Sequence, residues 1–481
     1  MALHDISENR NLMVPLGPTD ELVLHEGVIL DPRGTRGLYG IFRLDNGHSK
    51  ITIHGSVLAN TYAIDLGQEN DGTQDIVDIS ATGRLLSGSG NAIQLSDGTV
   101  NNHGLIEGGV FSWNSLTLLN TGHISKLGGS AQPTAVFTHG GQVTVMNAAS
   151  GVIEGGRWGI SGSDFGDTVT NDGTIRSDGA AVVLGGGDDL YDGRNGIVTD
   201  LAGTAMGVIS MGDGKDTVYG GAGREHILGG AGDDILNGGG GNDRLEGGAG
   251  NDTYYVDHPD DLVIEAAGEG TADHVYAAVT HRLSDHVENA TAIGSSAVDL
   301  TGNNLGNILK GNARANRIHG GNGHDTLMGE AGNDRLYGDG HNDRLLGGTG
   351  HDSLSGGSGN DVLYGGAGND VLTGGAGKDI FVFDKAPNRS TNKDRIMDWS
   401  AKDDTIRLEN AVFKALKKTG TLSKSFFTIG SKANDANDFV GYDKKTGDLW
   451  YDSNGSKAGG QVVFANIGKN KAIAYNDFVV I

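Results

Sequence analysis

The sequence has no cysteine, so neither disulfide bonds nor thiolate metal ligands can support the fold. Proline is also rare, with 6 residues in 481, and aromatic residues make up only 6%. No run of 18 apolar residues occurs, which argues against a membrane-spanning helix. The first residues, MALHDISENR, lack a basic segment followed by an apolar core, so we expect no cleaved N-terminal signal.

Basic residues are few relative to acidic ones, and the formal net charge is -25. Such a chain lacks the basic surface with which nucleic-acid binding begins. The segment 385–471 is an exception, with 16 Lys and Arg against 10 Asp and Glu. The excess of acidic residues therefore lies in the rest of the chain, where it calls for counterions such as divalent cations.

Glycine is the residue in excess, with 84 among 481, more than twice the ordinary share of about 7%. It recurs in a nine-residue pattern, GG-x-G-x-D-x-L-x, from Met211 to Tyr255 and again from Gly302 to Asp379. This regularity indicates a structural repeat rather than a flexible linker. The sixth positions of the second stretch are Asn307, Asn316, Asp325, Asp334, Asp343, Asp352, Asp361, Asp370 and Asp379.

Between about residues 38 and 210 the chain repeats at a longer interval of roughly 18 to 27 residues. Segments such as TVNNHGLIEGG at 99 and TLLNTGHISKL at 117 pair a β-branched stretch with an Asn or Gly turn and a second short strand. A coil of this size cannot bury its own apolar face and has to stack on its neighbours. The pattern favours a parallel β-helix, with a β-sandwich as the alternative.

We therefore predict an all-β protein in which an N-terminal parallel β-helix (a solenoid) continues into parallel β-roll arrays, followed by a C-terminal β-rich domain. The nine-residue period defines a first array and a second array, and the bridge between them alternates apolar residues without a glycine ladder. The predicted divisions are an N-terminal cap 1–37, a β-helix 38–210, the first array 211–255, the bridge 256–301, the second array 302–379 and the C-terminal domain 380–481.

One nine-residue unit combines a six-residue turn with a three-residue strand whose central Leu alone faces inward. Two units form a coil, and each buried Leu contributes about 1.5 to 3 kcal/mol. Ordering each residue costs on the order of 1 kcal/mol or more, so leucine burial does not stabilise a coil by itself. Stacked Asp side chains add charge repulsion. A hard cation offsets both effects, and Ca²⁺ accepts carboxylate and carbonyl oxygens in flexible geometry.

Other interpretations of the turns are weaker. Mg²⁺ demands stricter octahedral geometry, and Zn²⁺ prefers His or Cys ligands. His324 and His351 occupy the variable fifth position, where we expect solvent-facing turn residues. The alternative without any metal is that each Asp forms an Asx-turn with its own backbone.

The nonapeptide resembles the repeats-in-toxin family, also called hemolysin-type calcium-binding repeats, whose arrays form a parallel β-roll. In that family one turn gives an ion the carbonyls of its second and fourth residues and its Asp. The turn 18 residues later gives the carbonyls of its first and third residues and its own Asp. The resemblance implies several Ca²⁺ ions, held by Asp216, Asp234, Asp243 and Asp252 in the first array, and in the second by Gly321, Gly323, Asp325, Asp334, Asp343, Gly348, Gly350, Asp352, Gly357, Gly359, Asp361, Gly366, Gly368, Asp370, Gly374, Ala376 and Asp379.

Some units depart from the family pattern. In GGAGREHIL, Glu225 replaces Asp, so we expect its pairing with Asp243 to be weakened or lost. His341 stands where a glycine is expected, which bears on the direction of its carbonyl group. Asn307 and Asn316 lack charge, so the second array is expected to begin with metal-free coils.

The segment after the second array is similar to the C-terminal domain of type I secretion substrates such as the serralysin-like proteases. The matching strings are KDIFVFD at 378, DRIMDWSAKDDTIRL at 394, YDKKTGDLWYDSNG at 442 and NDFVVI at 476. The resemblance implies recognition by a type I exporter and a secreted or cell-surface location without a cleaved N-terminal signal. It also implies arrays that fold on calcium outside the cell.

No enzyme motif is present: the sequence has neither the H-E-x-x-H of zinc proteases nor the G-x-S-x-G of lipases. The long-period strands resemble those of adhesin and autotransporter-like β-helices. We therefore expect an adhesion or surface-matrix component without a catalytic site, contacting a surface polysaccharide or a host surface. The alternative is a calcium-dependent lyase, epimerase or hydrolase acting on carbohydrate. Its candidate residues on the β-helix are Arg157, Asp164, Asp167, Asp172 and Arg176.

Overall fold

The structure, a computed structural model, describes residues 3–8, 14–17, 20–31, 39–43, 48–67, 74–128, 133–388 and 390–481. The chain divides into two compact units, residues 1–264 and residues 265–481. Among the described residues, no helix is long and apolar enough to cross a membrane.

The first unit consists of short strands separated by turns, as expected for a solenoid. Its described strands are β1 Leu3–Ile6, β2 Val14–Leu16, β3 Glu21–Leu24, β4 Ile29–Leu30, β5 Tyr39–Arg43, β6 Lys50–Ile53, β7 Ser56–Ala59, β8 Tyr62–Asp65, β9 Asp75–Ile79, β10 Arg84–Ser87, β11 Ile93–Leu95, β12 Gly98–Asn102, β13 Leu105–Glu107, β14 Val110–Ser112, β15 Leu116–Asn120, β16 His123–Lys126, β17 Thr134–Thr138, β18 Val143–Asn147, β19 Val152–Gly155, β20 Trp158–Ser161, β21 Thr168–Asn171, β22 Thr174–Ser177, β23 Val182–Gly186, β24 Leu190–Asp192, β25 Ile197–Thr199, β26 Gly207–Asp213, β27 Thr217–Tyr219, β28 Glu225–Ala231, β29 Ile235–Asn237, β30 Arg244–Ala249, β31 Thr253–Val256 and β32 Leu262–Ile264.

The strands of the first unit pair in parallel from coil to coil. From β3 to β25, every third strand lies in the same sheet, so each coil contributes one strand to each of three sheets. The strands β1, β2 and β4 pair in parallel with β3, β5 and β7, so residues of the first 37 positions belong to these sheets.

The core of this unit is a set of apolar stripes that run across the coils. In one stripe Val100, Leu118, Val145 and Val169 are in register on successive strands, and each is at most 1% exposed. Because successive residues of a strand point to opposite faces, one side chain in two enters the core. This alternation gives the short β-branched stretches their apolar periodicity.

A row of Asn residues, here called the amide ladder, lies at the C-terminal ends of the strands that carry this stripe. Asn102, Asn120, Asn147 and Asn171 are buried at the strand ends. The Nδ2 group of each of the first three donates to the Oδ1 atom of the next at 2.8 Å. A primary amide carries both donors and acceptors, so the stack satisfies itself without ions or water.

The coils change after β25. The sheet that contains β4 to β25 ends there, and the following strands alternate between the two remaining sheets. Val218, Leu236 and Tyr254 are then in register at 18-residue spacing, and all three are fully buried. A nine-residue unit supplies one turn and one short strand, so two units make a coil with two sheets.

The second unit is built on the same two-sheet coil. Its strands are β33 His274–Ala277, β34 His281–Arg282, β35 Asn289–Ala292, β36 Leu300–Thr301, β37 Ile308–Lys310, β38 Arg317–Asn322, β39 Thr326–Met328, β40 Arg335–Gly340, β41 Arg344–Thr349, β42 Ser353–Ser358, β43 Val362–Ala367, β44 Val371–Ala376, β45 Ile380–Phe383, β46 Asp394–Ile396, β47 Thr405–Leu408, β48 Gly420–Thr421, β49 Phe427–Ile429, β50 Val440–Asp443, β51 Asp448–Asp452, β52 Gln461–Asn466 and β53 Phe478–Val480. Single 3-10 turns lie at Lys424–Phe426 and Tyr475–Asp477.

The eighth residues of the nonapeptides form two buried stripes. One contains Leu309, Leu327, Leu345, Leu363 and Phe381, and continues into the residues after the array. Every one of these side chains is 0% exposed, while the strand residues that flank the four leucines are partly or fully exposed; beside Phe381, Val382 is buried as well. The prediction that only the central residue of each three-residue strand faces inward is therefore confirmed.

The final segment closes the stack with aromatic residues. Strand β47 pairs in parallel with both β45 and β53, while β50, β51 and β52 form an antiparallel meander. Phe413 packs edge-on against Tyr451 and Phe464, with ring centroids 5.0 and 5.4 Å away. The prediction of parallel β-helix, β-roll arrays and a β-rich C-terminal segment is confirmed, whereas the exact domain divisions remain a prediction.

Candidate metal sites

The turns of both arrays use glycine where the backbone is left-handed. The second and fourth residues of most turns have positive φ, between 96° and 154°. An L-residue with a side chain rarely adopts such angles. These glycines are Gly212, Gly214, Gly230, Gly232, Gly248, Gly250, Gly321, Gly323, Gly348, Gly350, Gly357, Gly359, Gly366, Gly368, Gly375 and Gly377.

Turns one coil apart approach so closely that a side chain does not fit between them. A Cβ atom placed on Gly350 would lie 1.5 Å from the carbonyl oxygen of Gly332, and one on Gly377 would lie 1.6 Å from that of Gly359. The carbonyl of each fourth residue thus points at the next turn. This packing explains the repeated glycine independently of any metal.

Several first-position glycines mark a point where oxygens from two turns converge. A Cβ atom on Gly356 would lie 2.3 Å from Asp361 Oδ2 and 2.6 Å from the carbonyl oxygen of Gly374. In the first array, a Cβ atom on Gly229 would lie 2.3 Å from Asp234 Oδ2 and 2.7 Å from the carbonyl oxygen of Gly247. A carboxylate oxygen and a carbonyl oxygen of the following turn therefore face a common point.

The Asp side chains are linked in rows, here called the carboxylate ladders. The backbone N–H of each Asp donates to Oδ1 of the Asp one coil later, for example Asp325 to Asp343 at 2.8 Å. Further links are Asp334 to Asp352, Asp343 to Asp361, Asp352 to Asp370 and Asp361 to Asp379, with Asp216 to Asp234, Asp234 to Asp252 and Asp243 to Asp261 in the first array. These links join residues 18 positions apart, the spacing at which the family resemblance implies a shared ion, and the sharing of an ion remains a prediction.

Nine described aspartates of the ladders have a second carboxylate oxygen without a hydrogen-bond partner. Buried polar atoms are nearly always paired, and a buried carboxylate oxygen without a partner is costly. These side chains are at most 3% exposed. The unpartnered atoms are Oδ2 of Asp216, Asp234, Asp243, Asp325, Asp334, Asp343, Asp352, Asp361 and Asp370.

Burial also perturbs the pKa of these carboxyl groups. It raises the pKa of Asp234, Asp334 and Asp343 to about 7, and stacked neighbouring carboxylates raise it further. The same cause raises the pKa to about 6 at Asp216, Asp243, Asp325, Asp352 and Asp379, and raises it at Asp361 and Asp370. The ionised turns thus lack a compensating positive charge.

The donor set fits a hard cation. Carboxylate and backbone carbonyl oxygens converge, which is the chemistry that Ca²⁺ accepts. The turn histidines do not join this set: His351 is exposed, and its Nδ1 atom accepts the backbone N–H of Asn369 at 2.9 Å. His324 is exposed as well, so both are the solvent-facing turn residues that the sequence predicts.

The turn that contains His341 keeps the backbone geometry of the regular turns, whereas Gly221 and Gly223 in the Glu225 unit do not have positive φ. His341 has φ of 73°, and a Cβ atom on Gly359 would lie 1.9 Å from its carbonyl oxygen, as at regular turns. Glu225 is 1% exposed, its N–H donates to Asp243 Oδ1 at 2.9 Å, and its Oε2 atom has no partner. Burial and the neighbouring Asp243 raise the pKa of Glu225 to about 8. Whether this pair binds more weakly stays a prediction.

The asparagines that begin the second array are satisfied by the chain itself. Asn307 Nδ2 donates to the carbonyl oxygen of Val287 at 3.1 Å, and Asn316 Nδ2 donates to that of Val298 at 2.6 Å. An amide donor thus takes a carbonyl that a turn with Asp would leave for a cation. This contact favours the prediction that the first coils are metal-free.

Sequence reasoning missed ladder members after the second array. The N–H groups of Asp370 and Asp379 donate to Oδ1 of Asp394 and Asp404 at 3.0 and 3.2 Å. The spacing there is 24 and 25 residues, so a search for nine-residue units does not find them. The available signal was the acidic string DRIMDWSAKDD directly after a regular array.

The β-helix residues considered for catalysis have structural contacts. Asp167 accepts the N–H groups of Val143 and Ser163, and Asp172 accepts the amide of Asn195 at 3.0 Å. Arg157 stacks over Trp158 at 4.3 Å, Arg176 lies 3.4 Å from Glu154, and Asp164 is exposed. These contacts are those of ordinary turn and surface residues.

Both units are parallel β-solenoids whose array turns bring carboxylate and carbonyl oxygens of stacked coils together. The family model for the RTX calcium-binding nonapeptide repeat (four copies) matches residues 212–224, 219–254, 301–336, 319–354 and 355–384. No curated protein matches the chain. The chain therefore carries several copies of the RTX nonapeptide repeat, which binds calcium ions.

Proposed function

We propose that the protein is a secreted β-solenoid that folds on calcium outside the cell and acts as an adhesion or surface-matrix component. The observation that carries the calcium part is the row of buried Asp Oδ2 atoms that lack partners and face carbonyl groups of the next turn. Proteins with RTX repeats are typically secreted, which supports the extracellular location.

The arrays would hold their ions with groups that are already oriented. By the family pattern, Asp361 and Asp379 would share one ion with carbonyls of their own turns, and the other linked pairs would do the same. Bound Ca²⁺ would supply the positive charge that offsets each pair of carboxylates. In the folded array, the link from the Asp361 N–H to Asp379 Oδ1, at 3.0 Å, orients one side chain of the pair.

Extracellular calcium modules bind with affinities of roughly 10⁻⁴ to 10⁻³ M, so such sites stay empty at cytosolic calcium and fill outside. We propose that residues 380–481 form the secretion domain read by a type I exporter. Phe478 and Val480 are buried in the folded protein, at 0% and 2% exposure. An exporter that reads this segment would need it unfolded, which low calcium would ensure.

The β-helix supplies a surface for a partner. Phe111 and Phe137 stack with ring centroids 5.3 Å apart, and Trp113 meets Phe111 and His139 edge-on at 4.9 and 5.6 Å. Trp113 and Phe137 are half-buried and His139 is exposed. Aromatic rings with one polar edge are typical of binding surfaces. We propose that this aromatic cluster (Phe111, Trp113, Phe137 and His139) contacts a surface polysaccharide.

The calcium part is tested by circular dichroism and size-exclusion chromatography of the full chain. Millimolar Ca²⁺ should increase the β signal and compact the protein, and equal Mg²⁺ should not. An unchanged spectrum and elution volume in Ca²⁺ would contradict the proposal.

The adhesion part is tested by binding of the full chain to a panel of acidic and neutral polysaccharides in calcium. Trp113→Ala should weaken binding to the best ligand about tenfold, whereas Trp158→Ala, whose ring is covered by Arg157, should not. Cleavage of a polysaccharide that an Asp164→Asn variant abolishes would instead support the enzyme alternative.

A further inference from the structure

Two turns at the end of the long-period coils have the geometry of the array turns. Residues 184–189 read LGGGDD and residues 211–216 read MGDGKD, 27 residues apart. Gly185 and Gly187 have φ of 110° and 96°, and Gly212 and Gly214 have 120° and 143°. The RTX family model begins only at residue 212, so the turn 184–189 lies outside its matches.

The carbonyl groups of the earlier turn face the later one as they do inside the array. A Cβ atom on Gly212 would lie 1.7 Å from the Gly185 carbonyl oxygen, and one on Gly214 would lie 1.9 Å from that of Gly187. Within the first array, a Cβ atom on Gly230 would lie 1.9 Å from the Gly212 carbonyl oxygen. The longer coil therefore keeps the array's turn stacking.

Asp189 is the sixth residue of this turn, the position that Asp occupies in the array turns, and one of its carboxylate oxygens lacks a hydrogen-bond partner. It is 3% exposed, its Oδ1 atom accepts the N–H of Asp167 at 2.6 Å, and its N–H donates to Asp216 Oδ1 at 2.8 Å. Its Oδ2 atom has no partner, and neither has Oδ2 of Asp216. Two buried carboxylates of adjacent coils thus each have one oxygen without a hydrogen-bond donor.

One coil earlier the situation is different. Asp167 is equally buried, but Oδ1 accepts the N–H of Val143 at 2.6 Å and Oδ2 accepts the N–H of Ser163 at 2.9 Å. Its turn also lacks the pair of left-handed glycines, because Ser163 and Phe165 occupy those positions. Both carboxylate oxygens of Asp167 therefore accept hydrogen bonds from the chain, whereas Oδ2 of Asp189 accepts none.

We propose that Asp189 and Asp216, together with the carbonyl groups of Gly185 and Gly187, form a Ca²⁺ site at the end of the long-period β-helix. The donors are all oxygens, two of them carboxylates, as Ca²⁺ requires. The proposal rests on the proposed calcium function of the arrays and extends it into a coil of different length. Calcium would then order the turn 184–189 of the β-helix as well as the nonapeptides.

The test is the number of calcium ions bound by the full-length protein, measured by equilibrium dialysis at saturating calcium. Asp189→Asn should bind one ion fewer than the wild type, and the matched control Asp167→Asn should bind the wild-type number. An unchanged number for Asp189→Asn, or the same loss in both variants, overturns the proposal. A wild type that binds no calcium contradicts the proposed function itself.

A second measurement needs no variant. Hydrogen exchange of the wild-type backbone is followed in peptides covering residues 184–192, in calcium and in chelator. Calcium should slow exchange there at least tenfold, while peptides around Asn120 should exchange equally in both conditions. The proposal is overturned if the exchange rate at 184–192 is the same in calcium and in chelator while the exchange rates of the arrays differ.

Discussion

The long-period coils and the nonapeptide coils stack in the same parallel register but satisfy their buried turn residues by opposite chemistry. In the amide ladder, each Asn offers both donors and acceptors, and links such as Asn120 to Asn147 close at 2.8 Å. In the carboxylate ladders, each Asp offers acceptors only, and the Oδ2 atom of members such as Asp343 and Asp361 has no partner. The comparison shows that one solenoid can hold coils that are complete in themselves beside coils that need an ion.

Calcium removal should produce the largest difference in stability between the long-period coils and the nonapeptide coils. A site filled at 100 times its Kd stabilises the folded state by about 2.7 kcal/mol, and the arrays contain several sites. In chelator, peptides from residues 316–379 should lose nearly all protection from hydrogen exchange, while peptides from 98–177 keep theirs. Equal loss in both regions would contradict the difference drawn between the ladders.

Protons should partly replace calcium in the arrays. Burial raises the pKa of Asp343 from 3.8 to about 7. Between these two pH values, the folded array therefore keeps a proton on Asp343 that the unfolded chain has released. This proton stabilises the calcium-free fold below about pH 4, and the contribution is lost as the pH rises through about 7. In calcium-depleted buffer, the β circular dichroism of the arrays should therefore be stronger at pH 5 than at pH 8. A signal independent of pH would contradict the raised pKa values.

Exchanging the chemistry of the amide ladder should be costly. Asn120→Asp removes the donor to Asn147 and leaves an unpaired buried charge, for which we expect a loss of about 3 to 5 kcal/mol. Urea unfolding of the β-helix measures the change, and calcium should not restore it. Thr117→Asp, at an exposed position of the same strand, serves as the control and should cost far less.

Adding one methyl group to an array turn should break its stacking. Gly350 has φ of 139°, and a Cβ atom there would lie 1.5 Å from the Gly332 carbonyl oxygen. Gly350→Ala should lower the free energy of unfolding in calcium by about 1 to 3 kcal/mol or more. The control is Gly430→Ala, where the nearest atom is 3.7 Å away and the change should be within about 0.5 kcal/mol.

The smallest expected effect reverses its sign with calcium. Asp343→Asn removes a ligand that Asp325 and Asp361 would each share, so calcium-bound protein should lose about 1 to 3 kcal/mol of stability. Without calcium the same change removes a repelling charge from the ladder and should be neutral or stabilising. Thermal unfolding in calcium and in chelator measures both signs, and a loss of equal size in both would show that Asp343 has only a structural role.

The nine-residue pattern was sufficient to predict much of the array. It predicted the inward Leu363 and the 18-residue register, because both follow from one short exact period. It also predicted that His351 faces solvent, since the fifth position of the turn is variable.

Other features depend on contacts that no local pattern encodes. The links to Asp394 and Asp189 cross coils of 24 and 22 to 27 residues, so their members are not in phase with the repeat. The amide ladder is likewise unevenly spaced, at 18, 27 and 24 residues. Stacking in space, rather than counting along the chain, brings these residues together.

The Asp links also give each carboxylate ladder a direction. In every link the N–H belongs to the earlier coil and the accepting oxygen to the later one, as between Asp352 and Asp370. A stack that already holds the later coils therefore presents ready acceptors to the coil that precedes them in the chain. The two ends of the second array are therefore chemically unlike, because its last links end on the acceptors Asp394 and Asp404.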